Sequence, residues 1–428
     1  MCVLGVLGLI ASFPSLFFLY HVSKQHKTPR QLTNSRQNAS DAVFHNATLR
    51  QTVYITQDAS TIRLQLSNTF GGSDLSVTAA TVALPLDNKA GTSAVQPKTL
   101  KTVTFSKKAG FSIPSGALVI SDPIPFRVKA QSVLTVTLYL AEGQKGHALT
   151  GHPGSRTTST VARGNHVSSS DLSGTEEFYK TDHWYFLSAV QGWLPRDRHS
   201  ALVIVGDSIT DGRGSTTNGN NRWPDLLLAR MQSSSSSKKH RLASGIAVVN
   251  KAAGGNRVLA DGLGPHALGR IERDVLARGP SVKYAMIYEG VNDLGVADPS
   301  PAAQQRTGDS LITAFDQMIT RLHGNGIAVL GATITPMSGP GQAYDHPERE
   351  AQRQRVNKWI RTSGRFDAVV DFDEVVRDNS PGGNKTRLNP EYDVGDYLHL
   401  NPQGFEAMAQ AVDLRVFERF EGGVWEMV

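Results

Sequence analysis

The chain has 428 residues, of which 39% are apolar and 19% charged, too many residues for one ordinary core and too apolar for a disordered chain. Its formal net charge of +6 is a weak excess at this length, and no Lys/Arg block is long enough to make nucleic acid a partner. The only cysteine is Cys2, which excludes an intramolecular disulfide and a cysteine-based zinc site.

The N-terminal run CVLGVLGLIASFPSLFFLY, residues 2–20, carries no charge. Roughly 20 apolar residues span a bilayer, so residues 1–20 are expected to be a signal peptide or a membrane anchor. Lys24, Lys27 and Arg30 follow the run, and by the positive-inside rule they favour a cytoplasmic C-terminal side. Asn-x-Ser/Thr sequons at Asn38, Asn46 and Asn384 favour a lumenal chain instead. The expectation is a secreted protein, or one anchored on the lumenal or extracellular side. Residues 21–47 are polar and read as a linker.

From residue 48 the pattern has period two. Ile62, Leu64 and Leu66 alternate with Arg63 and Gln65, and Leu134, Val136, Leu138 and Leu140 alternate with Thr135, Thr137 and Tyr139. Short alternating runs separated by turn residues predict an antiparallel β-sandwich over 48–145. Residues 146–198 are rich in Gly, Ser, Thr and His and are expected to be an irregular connecting segment on the surface.

Beyond 199 the texture changes. Apolar runs at 201–205, 246–249, 284–288, 326–331 and 368–371 alternate with helical patterns at 222–232, 265–278, 307–323 and 347–361. A last helix is expected over 402–419, with Asn401 as its N-cap and Pro402 in its first position. Apolar strands each followed by a helix mean an α/β domain over 199–428, with a parallel five-stranded sheet covered on both faces.

Ligands of such sheets bind beyond the carboxyl ends of the strands. Those ends carry GDS with Ser208, NKAAGGN with Gly254 and Gly255, and EGVND with Asn292, while DYLHLN before the last helix carries Asp396 and His399. A histidine within hydrogen-bond reach can activate a serine hydroxyl, and a carboxylate on its other nitrogen fixes the tautomer. The N–H of Ser208, the N–H of Gly255 and the amide of Asn292 could receive a developing oxyanion. Each piece alone has a plainer reading. Ser208 could cap a helix, Asp211 and Gly212 could be turn residues, Gly254-Gly255 a left-handed turn, and His399 an ordinary loop histidine.

The motifs GDSITDG, NKAAGGN, GVND and DYLH resemble, in order, the four blocks of the GDSL or SGNH hydrolases. The resemblance implies a flavodoxin-like SGNH-hydrolase domain and a serine esterase mechanism with no metal or other cofactor. Carried over block by block, it makes Ser208 the nucleophile, His399 the base and Asp396 its partner, with Ser208, Gly255 and Asn292 forming the oxyanion hole. Gly254 replaces Gly255 if the register slips by one. Upstream, RLQLSNTFG, ALVISDPIPF, WYFLSAV and RWPDLLLARM resemble the two-domain subgroup with an N-terminal β-sandwich.

The resemblance implies a carboxylic ester hydrolase, with a small-molecule or polysaccharide ester as substrate. The subgroup points to an O-acylated carbohydrate, with a lipid or simple ester as the alternative. Gly164-Asn165-His166 superficially matches a metallophosphoesterase motif, but it precedes the Gly-Asp run instead of following it. A non-catalytic glycan-binding protein is the remaining alternative. His152 and His166 are candidates to border the cleft, with ordinary surface positions as the plainer reading.

Overall fold

The computed structural model describes residues 15–21, 25–27, 42–195, 198–233 and 242–424. Of the apolar N-terminal segment, residues 15–20 fall in a strand, Ser15–His21, paired antiparallel with Leu187–Leu194. Residues 1–14, and 22–24 and 28–41 of the expected linker, lie outside the described residues. Among the described residues no helix is long and apolar enough to cross a membrane.

Two antiparallel sheets build the N-terminal domain. The larger has six strands in the order Phe178–Thr181, Ser159–Arg163, Ala47–Tyr54, Val133–Leu140, Ala79–Ala83 and Lys101–Val103. The smaller has four, in the order Ser15–His21, Leu187–Leu194, Ile62–Ser67 and Leu118–Ile120. Leu49, Val82, Val136 and Leu138 of the first pack with Leu64, Leu66 and Val190 of the second in one buried cluster. This is the expected alternation, each strand turning one set of side chains inward.

The segment expected to be irregular, 146–198, differs from its reading. It supplies strands Ser159–Arg163, Phe178–Thr181 and Leu187–Leu194 to these sheets, and Ala148–His152 and Trp184–Tyr185 to a separate three-stranded sheet with Gln25–Lys27. Its polar residues conceal this because several of them are buried and hydrogen-bonded: Thr150 Oγ1 accepts from Phe70 N at 2.9 Å, and Ser159 Oγ donates to His183 O at 2.6 Å. The remainder of the segment covers the outer face of the six-stranded sheet. Arg50 is buried on that face and donates to Thr137 Oγ1 at 3.1 Å, Ser93 O at 2.6 Å and Ser169 O at 2.7 Å. A buried guanidinium of this kind requires acceptors on every side, and the covering loops provide them.

The C-terminal domain is the expected α/β sandwich. Its strands are β1 (Ser200–Gly206), β2 (Ile246–Asn250), β3 (Val282–Tyr288), β4 (Ala328–Ala332) and β5 (Ala368–Val370). They lie in the order 2-1-3-4-5, all parallel. Val203 and Val205 of β1 face one buried cluster, while Leu202 and Ile204 face another. Both faces are thus apolar, which explains the unbroken hydrophobic runs.

Nine helices are described: α1 (Ser208–Asp211), α2 (Trp223–Ser233), α3 (Ala267–Asp274), α4 (Val291–Val296), α5 (Pro301–His323), α6 (Pro347–Thr362), α7 (Phe372–Val376), α8 (Pro402–Ala411) and α9 (Arg415–Arg419). Helix α5 starts six residues before its apolar periodicity does, because Pro301 is preset for the first helical position. The expected final helix over 402–419 is instead two helices. Val412 adopts an extended backbone, and Asp413 Oδ1 accepts from Arg415 N at 3.0 Å, restarting the chain as α9. Asn401 caps α8 as expected, its Oδ1 accepting from Gln403 N at 2.9 Å and Gly404 N at 3.0 Å.

In a 2-1-3-4-5 sheet the chain reverses direction of travel at β1 and β3, leaving a crevice at their carboxyl ends. Ser208 follows β1 and Asn292 follows β3, so the sheet order alone puts them at that crevice.

Candidate active site

The turn GDSITDG is built by its own residues. A Cβ on Gly206 would lie 2.6 Å from Thr210 Oγ1, so the end of β1 must be glycine for α1 to close over it. Asp207 caps the helix, its Oδ1 accepting from Ile209 N at 2.9 Å. Gly212 ends it in the left-handed region, at φ 96°. Ser208 is the first helical residue, and its N–H donates to no protein group among the described residues.

Ser208 Oγ lies 2.8 Å from His399 Nε2, and both residues are buried. The other ring nitrogen, Nδ1, lies 2.7 Å from Asp396 Oδ2. Asp396 Oδ1 also accepts from His399 N at 2.8 Å and Leu398 N at 3.1 Å. With a carboxylate at Nδ1, that nitrogen carries the proton and Nε2 is left to accept from the serine. The loop is held by a neighbouring carboxylate, Asp393, whose Oδ1 accepts from Gly395 N at 2.8 Å and Asp396 N at 3.2 Å. Burial works against the charge on Asp396, but hydrogen bonds from the His399 ring and backbone outweigh it and hold its carboxyl at about 2.

The second loop is pinned to the first. Ala253 N donates to Gly206 O at 2.9 Å, and Gly254 N donates to Asp211 Oδ2 at 2.8 Å. The Gly254 N–H is thus used by Asp211, whereas that of Gly255 points to no protein acceptor among the described residues. Gly255 has φ 69°, a conformation that glycine adopts without strain.

Asn292 stands on α4 opposite this loop. Its Nδ2 donates to Asn256 O at 2.9 Å, which leaves the second amide hydrogen free for another acceptor. Its Oδ1 accepts from Tyr344 OH at 3.1 Å, fixing which end of the amide faces which way. The adjacent Asp293 accepts from Val258 N at 2.9 Å and Leu259 N at 3.0 Å, tying α4 to the glycine loop. Burial pushes the Asp293 carboxyl up to about 6, partly opposed by those two amides.

Beneath the site lies Arg270 of α3, with a side chain only 2% exposed. It donates to Gly206 O at 3.3 Å, Lys251 O at 2.6 Å, Asn256 Oδ1 at 2.8 Å, Asp274 Oδ2 at 2.9 Å and Glu289 Oε1 at 3.2 Å. All but Asp274, which ends α3 itself, follow or end β1, β2 and β3. Burial, and then repulsion from Asp207, push the Glu289 carboxyl well above its ordinary value.

All five expected site residues thus meet at one edge of the sheet. Of the other candidates, His166 stays in a sandwich turn, its Nε2 bonded to Arg163 O at 2.7 Å. His152 instead reaches the site region, where its Nε2 lies 2.6 Å from Asp211 Oδ1. Among the described residues, no three His, Cys, Asp or Glu side chains gather as metal ligands. Tyr344, Arg270 and the inward-facing Asp211 escaped sequence reading. Tyr344 and Arg270 come from elements with no strand-end signal, and Asp211 was masked by its resemblance to a turn residue.

Residues 204–407 match the model of the GDSL-like lipase/acylhydrolase family. The C-terminal domain is a GDSL-type acylhydrolase domain. The chain is accordingly a carboxylic ester hydrolase. A search of curated proteins gives no match. Among solved structures, the chain is similar to a GDSL-like lipase from Bacteroides thetaiotaomicron at 15% identity, covering 51% of this chain and 89% of that one, with a TM-score of 0.35. It is similar to a catalytic mutant of the acetylxylan esterase Axe2 from Geobacillus stearothermophilus at 21% identity, covering 54% and 96%, with a TM-score of 0.35. A family two carbohydrate esterase from Cellvibrio japonicus is similar at 11% identity over 96% of this chain and 97% of its own, with a TM-score of 0.34.

Two outcomes follow from this geometry. Arg270→Met removes the ion-pair partner of Glu289 and the donor to Lys251 O and Asn256 Oδ1, while Asp274 keeps Arg273 and Gly206 O keeps Ala253 N; urea unfolding should show a loss of about 3–5 kcal/mol, typical of breaking a buried ion pair. A carboxylate whose folded pKa is depressed stabilises the native state above its unfolded pKa, and that contribution is lost as pH falls through the folded value. For Asp396 the window runs from 3.8, its ordinary value, down to about 2. Urea unfolding across this window should therefore show a smaller loss of stability for Asp396→Asn than for the parent chain.

Proposed function

We propose that the acylhydrolase domain works through Ser208, His399 and Asp396, and that its substrate is an O-acylated carbohydrate. The observation that carries the mechanism is the unbroken chain of contacts from Ser208 Oγ to His399 at 2.8 Å and on to Asp396 at 2.7 Å, beside two N–H groups with no acceptor among the described residues.

Ser208 Oγ attacks the acyl carbon while His399 Nε2 takes its proton. Asp396 holds the Nδ1–H tautomer and stabilises the imidazolium that forms. The carbonyl oxygen becomes an oxyanion, received by the N–H groups of Ser208 and Gly255 and the amide of Asn292. His399 then protonates the departing alcohol. Water, activated by the same imidazole, releases the acid and restores the serine.

The side chains around this centre support a polar alcohol portion. Arg213 Nη2 lies 3.8 Å from Asp396 Oδ2 with its side chain 59% exposed, and Tyr344 bonds the Asn292 amide. Arg257 is near enough to act electrostatically on both Tyr344 and Asp293. Donors of this kind suit the hydroxyls of a sugar better than a lipid chain.

The site also fits a chain of the secretory pathway in one respect. The Asn384 sequon lies on an exposed loop, whereas the Asn46 side chain is bonded to Tyr139 OH at 2.8 Å. Treatment of the protein from its native host with an N-glycosidase should shift its mass, with Asn384 as an occupied site. An unmodified Asn384 peptide would contradict lumenal passage.

The mechanism predicts that Ser208→Ala abolishes hydrolysis of p-nitrophenyl acetate and keeps the melting temperature of the parent. Asn292→Ala should lower kcat about 10²–10³-fold, the usual cost of one oxyanion donor. Acetylated xylan and short p-nitrophenyl esters should be cleaved in preference to long-chain esters. Full activity in Ser208→Ala would refute the nucleophile, and a preference for long acyl chains would refute the carbohydrate substrate.

A further inference from the structure

Asp211 lies three residues beyond Ser208, where its position in the turn suggests an outward side chain. Its carboxylate instead faces inward, with the side chain 9% exposed. Oδ2 accepts from Gly254 N at 2.8 Å, and Oδ1 lies 2.6 Å from His152 Nε2. His152 ends strand Ala148–His152 and is itself buried. One side chain of the N-terminal domain is therefore linked, through a single carboxylate, to the residue that precedes Gly255.

The link is held on every side. The His152 ring stacks on Trp184 with centroids 6.0 Å apart and planes 26° apart, and Trp184 Nε1 donates to Thr52 O at 3.0 Å. Arg222 donates to Asp211 O at 3.1 Å and also to Ser155 O, clamping α1 to the loop that follows His152. Gly154 approaches so closely that a Cβ there would lie 2.1 Å from Asp211 Oδ2.

A buried carboxylate keeps its orientation only while donors satisfy it. Without the His152 N–H, Asp211 Oδ1 loses its 2.6 Å partner and the carboxylate is no longer held in this orientation. The 2.8 Å contact of Gly254 N with Asp211 Oδ2 is then loosened. Two adjacent glycines resist such a movement weakly, and an oxyanion donor is effective only at about 2.7–3.1 Å from the developing charge.

We propose that His152 is a positioning residue for ester hydrolysis, and that through Asp211 the sandwich aims the Gly255 N–H at the oxyanion. This rests on the reading of Gly255 as an oxyanion donor. The sandwich is thereby a structural part of the active site, and His152 acts without touching the substrate.

The test uses the full chain and p-nitrophenyl acetate. His152→Ala should lower kcat about 10–100-fold, part of the cost of losing a donor outright, with KM changed by less than about twofold. His152→Gln, whose amide can donate from near the position of Nε2, should recover most of that loss. The double variant His152→Ala/Asp211→Ala should be no slower than Asp211→Ala alone, since both remove one link. If His152→Ala does not fold, Gly154→Ala displaces Asp211 with His152 intact, and the same fall in kcat at unchanged KM is expected.

Unchanged kcat in folded His152→Ala or Gly154→Ala overturns the proposal. So does a His152→Gln variant as slow as His152→Ala, or an effect that multiplies with that of Asp211→Ala. Ser208→Ala separates the two levels of inference. Hydrolysis surviving in Ser208→Ala overturns the serine mechanism itself, whereas an inactive Ser208→Ala beside a fully active His152→Ala overturns only the role of the sandwich.

Discussion

The site depends on one buried cation. Arg270 joins Gly206 O, Lys251 O and Glu289, which end or follow three neighbouring strands, and the side chain of Asn256. Asn256 in turn accepts the Asn292 amide on its own carbonyl. The Ser208 turn, the glycine loop and the Asn292 amide are therefore braced by a single guanidinium fork. A planar donor with five N–H groups is suited to this, and a lysine could not span the same acceptors. The arrangement also explains why acidic groups as buried as Asp207 and Glu289 are tolerated beside the serine. Burial pushes the carboxyls of both upward, and the Arg270 charge opposes that shift.

The histidine arm is built by a different principle. Asp396 and His399 are three residues apart on one loop, so their pairing needs no tertiary support beyond the Asp393 turn. Helix α8 begins immediately after, capped by Asn401, which fixes the direction in which the loop leaves the site. The local arm brings His399, and the long-range network around Arg270 brings Ser208. The two meet at a single contact of 2.8 Å.

Much of this was legible in the sequence because the signals were local. Apolar runs bounded by turns located β1 to β5, and the residues that follow them located Ser208, Gly255 and Asn292. The capping pair Asn401-Pro402 located α8. What escaped was tertiary. The strands between His152 and Leu194 were hidden because Thr, Ser and His residues, some of them buried, interrupt their apolar positions, and the burial of those polar residues depends on partners distant in sequence. Tyr344 and Arg270 act on the site from loops and helices that carry no strand-end pattern. Asp211 looks like a turn residue because that is its backbone role, and only the position of His152 gives its side chain another.

The central claim is that one hydroxyl on this sheet edge, that of Ser208, is activated for attack. It is tested most directly by incubating the full chain with a fluorophosphonate and mapping the adduct by peptide mass spectrometry. The account predicts a single adduct on Ser208, lost in His399→Ala, with activity falling in step with labelling. An adduct on another residue, or full esterase activity in a protein that takes up no reagent, would contradict it.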